Sequence, residues 1–118
     1  SLPKIAGYQI EQLVGQGSFA LVYAARDTSD LRQPKRALLE LIAQGDNDEQ
    51  HLRQRTFRRT AEILEKLRHS GIPQIYSLFK HEAKLYLVQE FIAGTNYGQY
   101  LDGKNPALSI DEIERSKF

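Results

Sequence analysis

Two glycines two residues apart open the stretch Gly15-Gln16-Gly17-Ser18-Phe19-Ala20, which lies between two strand-like apolar runs. Glycine lacks a Cβ, so Gly15 and Gly17 let backbone come close to a phosphate, with Phe19 placed to cover the tip. The plainer role is a turn that serves only the fold, and on the residues alone that role is preferred. A second group, Arg53, Arg55, Arg58 and Arg59, has the charge to grip an acidic or phosphorylated partner. Glu62 and Glu65 balance it, and a solvated helix face is the preferred account. His51, His69 and His81 lack metal-ligand spacing, so no metal site is expected. With no cysteine, disulfides, thiolate metal sites and cysteine nucleophiles are excluded. No serine–histidine–acid set or carboxylate pair marks a hydrolase. Tyr97 and Tyr100 read as cover for apolar surface rather than as modification sites.

The elements that must hold these residues are legible from pattern. Strand-like runs cover Tyr8 to Val14, Leu21 to Arg26 and Arg36 to Ala43. The loop from Asp27 to Pro34 between the last two is rich in turn formers, and such short links favour antiparallel neighbours. Asp46, Asn47 and Asp48 offer caps for a helix from about Glu49 to Arg68. Its period puts Phe57, Thr60, Ala61, Leu64 and Leu67 on one side, with Thr56 and Ile63 at the margin. Arg55, Arg58, Arg59, Glu62 and Lys66 fall opposite. His69-Ser70-Gly71 ends the helix and Ile72-Pro73 forces extended chain. Strands from Gln74 to Phe79 and from Lys84 to Phe91 follow, joined by His81-Glu82-Ala83. Strands and helix are not regularly interleaved, which predicts an α+β fold: a five-stranded antiparallel sheet, one long helix and short C-terminal helical remnants.

The chain has 118 residues, 41% apolar and 26% charged, with a net charge of +1. That suits one small domain and gives no general drive toward nucleic acid or a membrane surface. No apolar run reaches the roughly 18 residues of a membrane span, and no signal-peptide pattern opens the chain. Cytoplasm is the default location. The chain begins at Ser1 without a methionine, and Ser109-Ile110-Asp111-Glu112 forms a capping box ahead of a segment too short for a stable helix. A piece cut from a longer architecture is therefore expected.

The order of elements, with these residues in them, resembles the N-terminal lobe of eukaryotic-type (Hanks-type) Ser/Thr protein kinases. Gly15 to Val22 looks like the family's G-x-G-x-x-G-x-V loop with Ala20 at the third glycine. Ala37-Leu38-Leu39 stands where the family has A-I-K, and Phe57-Arg58-Arg59-Thr60-Ala61 matches F-x-x-E-A on its long helix. His69 to Pro73 resembles the link into the fourth strand. Tyr86 to Ile92 looks like the fifth strand and hinge, with Gln89 at the gatekeeper position. The similarity runs over residues 7–101, and its wording is closest to bacterial members, pointing to the cyanobacterial branch. Residues 1–101 are read as the lobe and 102–118 as a linker and truncated helix.

Phosphoryl transfer depends on positioning and charge stabilisation. In the family a lysine on the third strand holds the phosphates and a helix glutamate holds the lysine. The resemblance places Leu39 and Thr60 at those positions, so both charges are missing. No lysine occurs between Ala37 and Glu65. Lys35 shares the strand face of Leu39 at roughly 13 Å, and Ala20 holds the place to which relocated lysines move. Glu62 lies about 200° around the helix from Thr60. The family's remaining catalytic groups fall in a large lobe beyond these residues. A catalytically inactive, pseudokinase-like lobe is expected. The resemblance implies Val22 and Ala37 as an adenine roof, and Glu90 and Ile92 as backbone hinge contacts. Weak ATP binding through these residues with Gly15 and Gly17 is the alternative to a lobe with no cofactor. The apolar surface that meets a large lobe is expected to dock a protein partner or a second copy.

Overall fold

The computed structural model describes residues 3–17, 19–43, 45–66 and 73–98, with backbone alone at 60 and 63–66. Along the chain run β1 (Lys4–Ile5), β2 (Tyr8–Gln16), β3 (Ala20–Asp27), β4 (Lys35–Leu41), α1 (Asn47–Lys66), β5 (Ile75–His81) and β6 (Lys84–Glu90). The strands join one six-stranded sheet in the order β1-β2-β3-β4-β6-β5, and every neighbouring pair is antiparallel. The α+β architecture matches expectation, with one strand more than the five predicted. That strand, β1, has two residues, too few for any alternation to announce it.

Register explains how the sheet builds two packed faces. Gly15, Val22, Leu39, Leu87 and Leu78 stand in one row across five strands. On that side Ala20, Val22, Ala37, Leu39, Leu41, Leu85 and Leu87 form a buried cluster with Phe57 and Ala61 of α1. The opposite side buries Ile10, Ala25, Leu38, Tyr86 and Val88, flanked by Tyr8, Tyr23 and Phe79. Because β4 and β6 are covered on both faces, Ala37 to Leu41 and Leu85 to Gln89 are buried without alternation. On the second face the rings of Tyr8, Phe79 and Tyr86 stack at 5.9 and 5.4 Å. The Tyr86 hydroxyl donates to Glu40 Oε1 at 2.7 Å, and Lys84 Nζ lies 3.7 Å from Oε2. Those partners make a buried carboxylate tolerable.

Helix α1 starts where its cap demands. Asp46 Oδ1 accepts the Glu49 N–H at 2.9 Å, and the Asp46 carbonyl accepts the Gln50 N–H at 2.9 Å. Asp48 and Glu49 place negative charge in the first turn, complementing the helix dipole. Phe57 and Ala61, four residues apart, are the buried contacts with the sheet, while Arg55, Arg58, Arg59 and Glu62 are exposed. That is the predicted division as far as side chains are described. Between β5 and β6, Glu82 and Ala83 both take positive φ (50° and 67°) in a two-residue turn bracketed by the His81–Lys84 pair. This is the primed turn that matches strand twist. The link from His69, the capping box at Ser109, Tyr100 and the 102–118 segment lie outside the described residues.

Candidate functional site

The sheet brings most of the expected site residues to one side. Val22 is fully buried, paired with Gly15 on one flank and Leu39 on the other. Ala37, also fully buried, pairs with Ala24 and Gln89. The glycine loop closes with a Gly17 N–H to Ala20 carbonyl bond of 3.0 Å, and the Phe19 carbonyl accepts the Ile42 N–H at 2.8 Å. A register shift between Leu13 and Gly15 bends β2 just before this loop.

Leu39 sits within the apolar cluster at 4% exposure, between Val22 and Leu87. Thr60 lies on α1 one residue before the buried Ala61. Lys35, the lysine nearest Leu39 along β4, places its ammonium 4.5 Å above the Phe91 ring, a cation–π contact beside the chain that follows β6. In the arginine group, Arg53 Nε and Nη2 are buried without a hydrogen-bond partner among the described residues.

At the end of β6 the chain is held in place. The Glu90 N–H donates to the Gln74 carbonyl at 2.8 Å, and the Glu90 carboxylate accepts the Gln74 N–H at 3.2 Å. Ile92, half-exposed, directs its N–H to the Tyr97 hydroxyl oxygen at 3.0 Å. Between them the chain reverses: the Thr95 N–H reaches the Ile92 carbonyl at 3.3 Å and Gly94 has φ +84°. Positive φ at the third residue of a four-residue turn calls for glycine.

That reversal carries Tyr97 under the sheet. Tyr97 is 3% exposed and belongs to the same buried cluster as Val22, Ala37 and Leu39. Its ring stacks on Phe91 at 5.7 Å and 30°. A Cβ placed on Gly15 would lie 2.5 Å from Tyr97 Cβ and 2.9 Å from its carbonyl carbon, so Gly15 is the opening that admits Tyr97. Burial holds the Tyr97 hydroxyl above its ordinary pKa; the Ile92 N–H pulls it partly back, and Glu90 pushes it up again. Reading Tyr97 as cover for apolar surface holds. Its contact with Gly15 and Ile92 was not anticipated, although Gly94, as the turn residue between Ile92 and Tyr97, was a usable signal.

The α1 side of the sheet thus gathers Val22, Ala37, Leu39 and Tyr97 in one buried cluster, with Gly15 beside Val22 and Ile92 tied to it through the Tyr97 hydroxyl. No helix among the described residues is long and apolar enough to cross a membrane, and no cluster of metal-ligating side chains occurs among them.

Comparison with known proteins agrees with this geometry. The family model for the protein kinase domain matches residues 8–117. The Bacillus subtilis serine/threonine-protein kinase PrkC is 32% identical over 115 residues, covering 92% of this chain and 17% of the relative. Serine/threonine-protein kinase C of Synechocystis is 36% identical over 96 residues, covering 78% of this chain and 18% of that protein. The solved structure of PpkA-294 in its apo form superposes with a TM-score of 0.68 at 20% identity, over 80% of this chain and 40% of that one. The chain therefore spans less than a fifth of these two curated relatives. With the sheet order, the single long helix and the glycine loop in their places, the chain belongs to the protein kinase domain family and forms an N-terminal lobe of the Ser/Thr type.

Proposed function

We propose that this lobe is catalytically inactive and works as a regulatory or protein-interaction module. The observation that carries the reading is Leu39, buried among Val22, Leu87 and the residues of α1 at the position where the family's resemblance calls for a lysine. A lysine there would bring an ammonium into apolar surroundings, a state tolerated only with a charge partner. The sequence supplies no acid at position 60. Phe19 at the loop tip and Ile92 beyond β6 keep apolar side chains in solvent, which favours a protein partner or a second copy on the side that would meet a large lobe.

Two measurements test it. Incubation with radiolabelled ATP, magnesium and a generic acceptor protein is expected to transfer no phosphate; transfer above a no-enzyme control would overturn the inactive assignment. Light scattering over a concentration series is expected to reveal a dimer, or a heterocomplex with a co-purifying protein, and a strict monomer at high concentration counts against self-docking. A second reading, the small lobe of a working phosphotransferase, is favoured by the relatives being named Ser/Thr kinases. An H-R-D and D-F-G set in the same reading frame downstream would select it.

A further inference from the structure

We propose that Tyr97 is a built-in occupant of the cleft beneath the glycine loop, which a flat aromatic ligand enters only by displacing it. The proposal does not depend on whether the lobe is catalytic. It stands on four contacts made by one residue. The Tyr97 backbone and Cβ press against the space left by Gly15. Its ring lies against Phe91. Its hydroxyl oxygen accepts the Ile92 N–H at 3.0 Å. The whole residue is buried in the cluster that contains Val22 and Ala37.

What Tyr97 supplies defines what replaces it. It offers a planar ring stacked on Phe91 within the buried cluster that holds Val22 and Ala37, and an acceptor atom for the Ile92 amide. A purine base has both features: a flat face and ring nitrogens that accept hydrogen bonds. Ligand and Tyr97 therefore compete for the same amide and the same apolar walls. When the competent state is a minor population, apparent affinity falls by that fraction.

The device has a visible hinge. Tyr97 reaches the cleft because the chain reverses over residues 92–95, with the Thr95 N–H on the Ile92 carbonyl and Gly94 at φ +84°. A Cβ at Gly94 would meet nothing within 4 Å, so a substitution there acts through the backbone angle and not through a clash. That gives a way to open the cleft without altering Tyr97, Gly15 or the sheet.

The test is a titration of the 118-residue chain with a fluorescent N-methylanthraniloyl adenine nucleotide, comparing wild type, Tyr97→Ala, Tyr97→Phe and Gly94→Val. Tyr97→Ala and Gly94→Val are expected to bind roughly tenfold or more tightly than wild type. Tyr97→Phe keeps the ring in the cleft and is expected to stay near wild type. Amide hydrogen exchange gives an independent readout: Ile92 is expected to be protected in wild type and to exchange faster in all three variants. Should Tyr97→Ala fail to fold, Gly94→Val carries the comparison. Equal affinities for wild type and Gly94→Val, no binding by any variant at millimolar nucleotide, or an unprotected Ile92 amide in wild type would each overturn the proposal.

Discussion

Leu39 and Glu40 are neighbours on β4 with opposite faces and opposite fates. Leu39 joins the apolar cluster on the α1 side, while Glu40 turns to the other face and meets Tyr86 and Lys84. The charged residue is the one given donors, and the position without donors is apolar. Leu39→Lys is therefore expected to cost about 3–5 kcal/mol, the penalty of an uncompensated buried charge. A urea unfolding midpoint that hardly moves would mean that the ammonium finds an acid the described residues do not provide. On the other face, Tyr86→Phe removes the 2.7 Å donor from Glu40 and is expected to cost about 1.5–3 kcal/mol, as for a hydrogen bond to a charged group, by the same measurement.

At the scale of elements, the β5–β6 hairpin and the start of α1 rest on local choices that can be changed singly. Ala83 holds φ at 67° without being glycine, a conformation costing roughly 1–2 kcal/mol for a residue with a Cβ. Ala83→Gly is expected to raise the melting temperature by a few degrees in calorimetry, provided the turn keeps its two-residue register. Asp46→Ala removes the acceptor for the Glu49 N–H and is expected to lower stability by about 1 kcal/mol in the same calorimetric comparison. Long, patterned elements were the legible ones. Strands β2 to β6 and α1 announce themselves through apolar runs, turn residues and caps; the strand bounds and the start of α1 differ from expectation by at most two residues, and the expected helix end at Arg68 lies outside the described residues. The two residues of β1 carry no such pattern and are recruited by pairing with Tyr8 and Gln9. At the site, Val22, Ala37 and Leu39 were legible because strand register fixes their face. Tyr97 was legible as cover but not as neighbour of Gly15, since that contact joins positions 82 residues apart through a tertiary turn.

For the whole molecule, tyrosine ionisation links many contacts at once. Burial raises the hydroxyl pKa of Tyr8, Tyr23, Tyr86 and Tyr97 above the ordinary value, with Asp27 adding to it at Tyr8 and Glu40 at Tyr23 and Tyr86. A raised pKa in the folded state means that the neutral form is favoured there. Stability from these groups is thus fully present below the unfolded value of about 10 and declines as pH rises through the raised folded values. An alkaline unfolding transition beginning above about pH 10 is expected, with Tyr86→Phe flattening the decline; unfolding free energies measured from about pH 8 upward check it. A stability independent of pH across that span would show that these hydroxyls are no harder to ionise folded than unfolded.

The sheet order also bears on how two copies of the chain can meet. Beyond Ile10, the outward margin of β2 has no strand partner among the described residues, because β1 pairs only with Tyr8 and Gln9 and Pro3 takes the Ile10 N–H. An open margin of this kind is a template for foreign strands. Here it is blunted: irregularities at Ile10/Gln12 and Leu13/Gly15 kink it, and Glu11 stands exposed along it. Sheet continuation from one molecule into the next is disfavoured on this flank, so any backbone ladder between copies would have to form at β5, the other edge of the sheet.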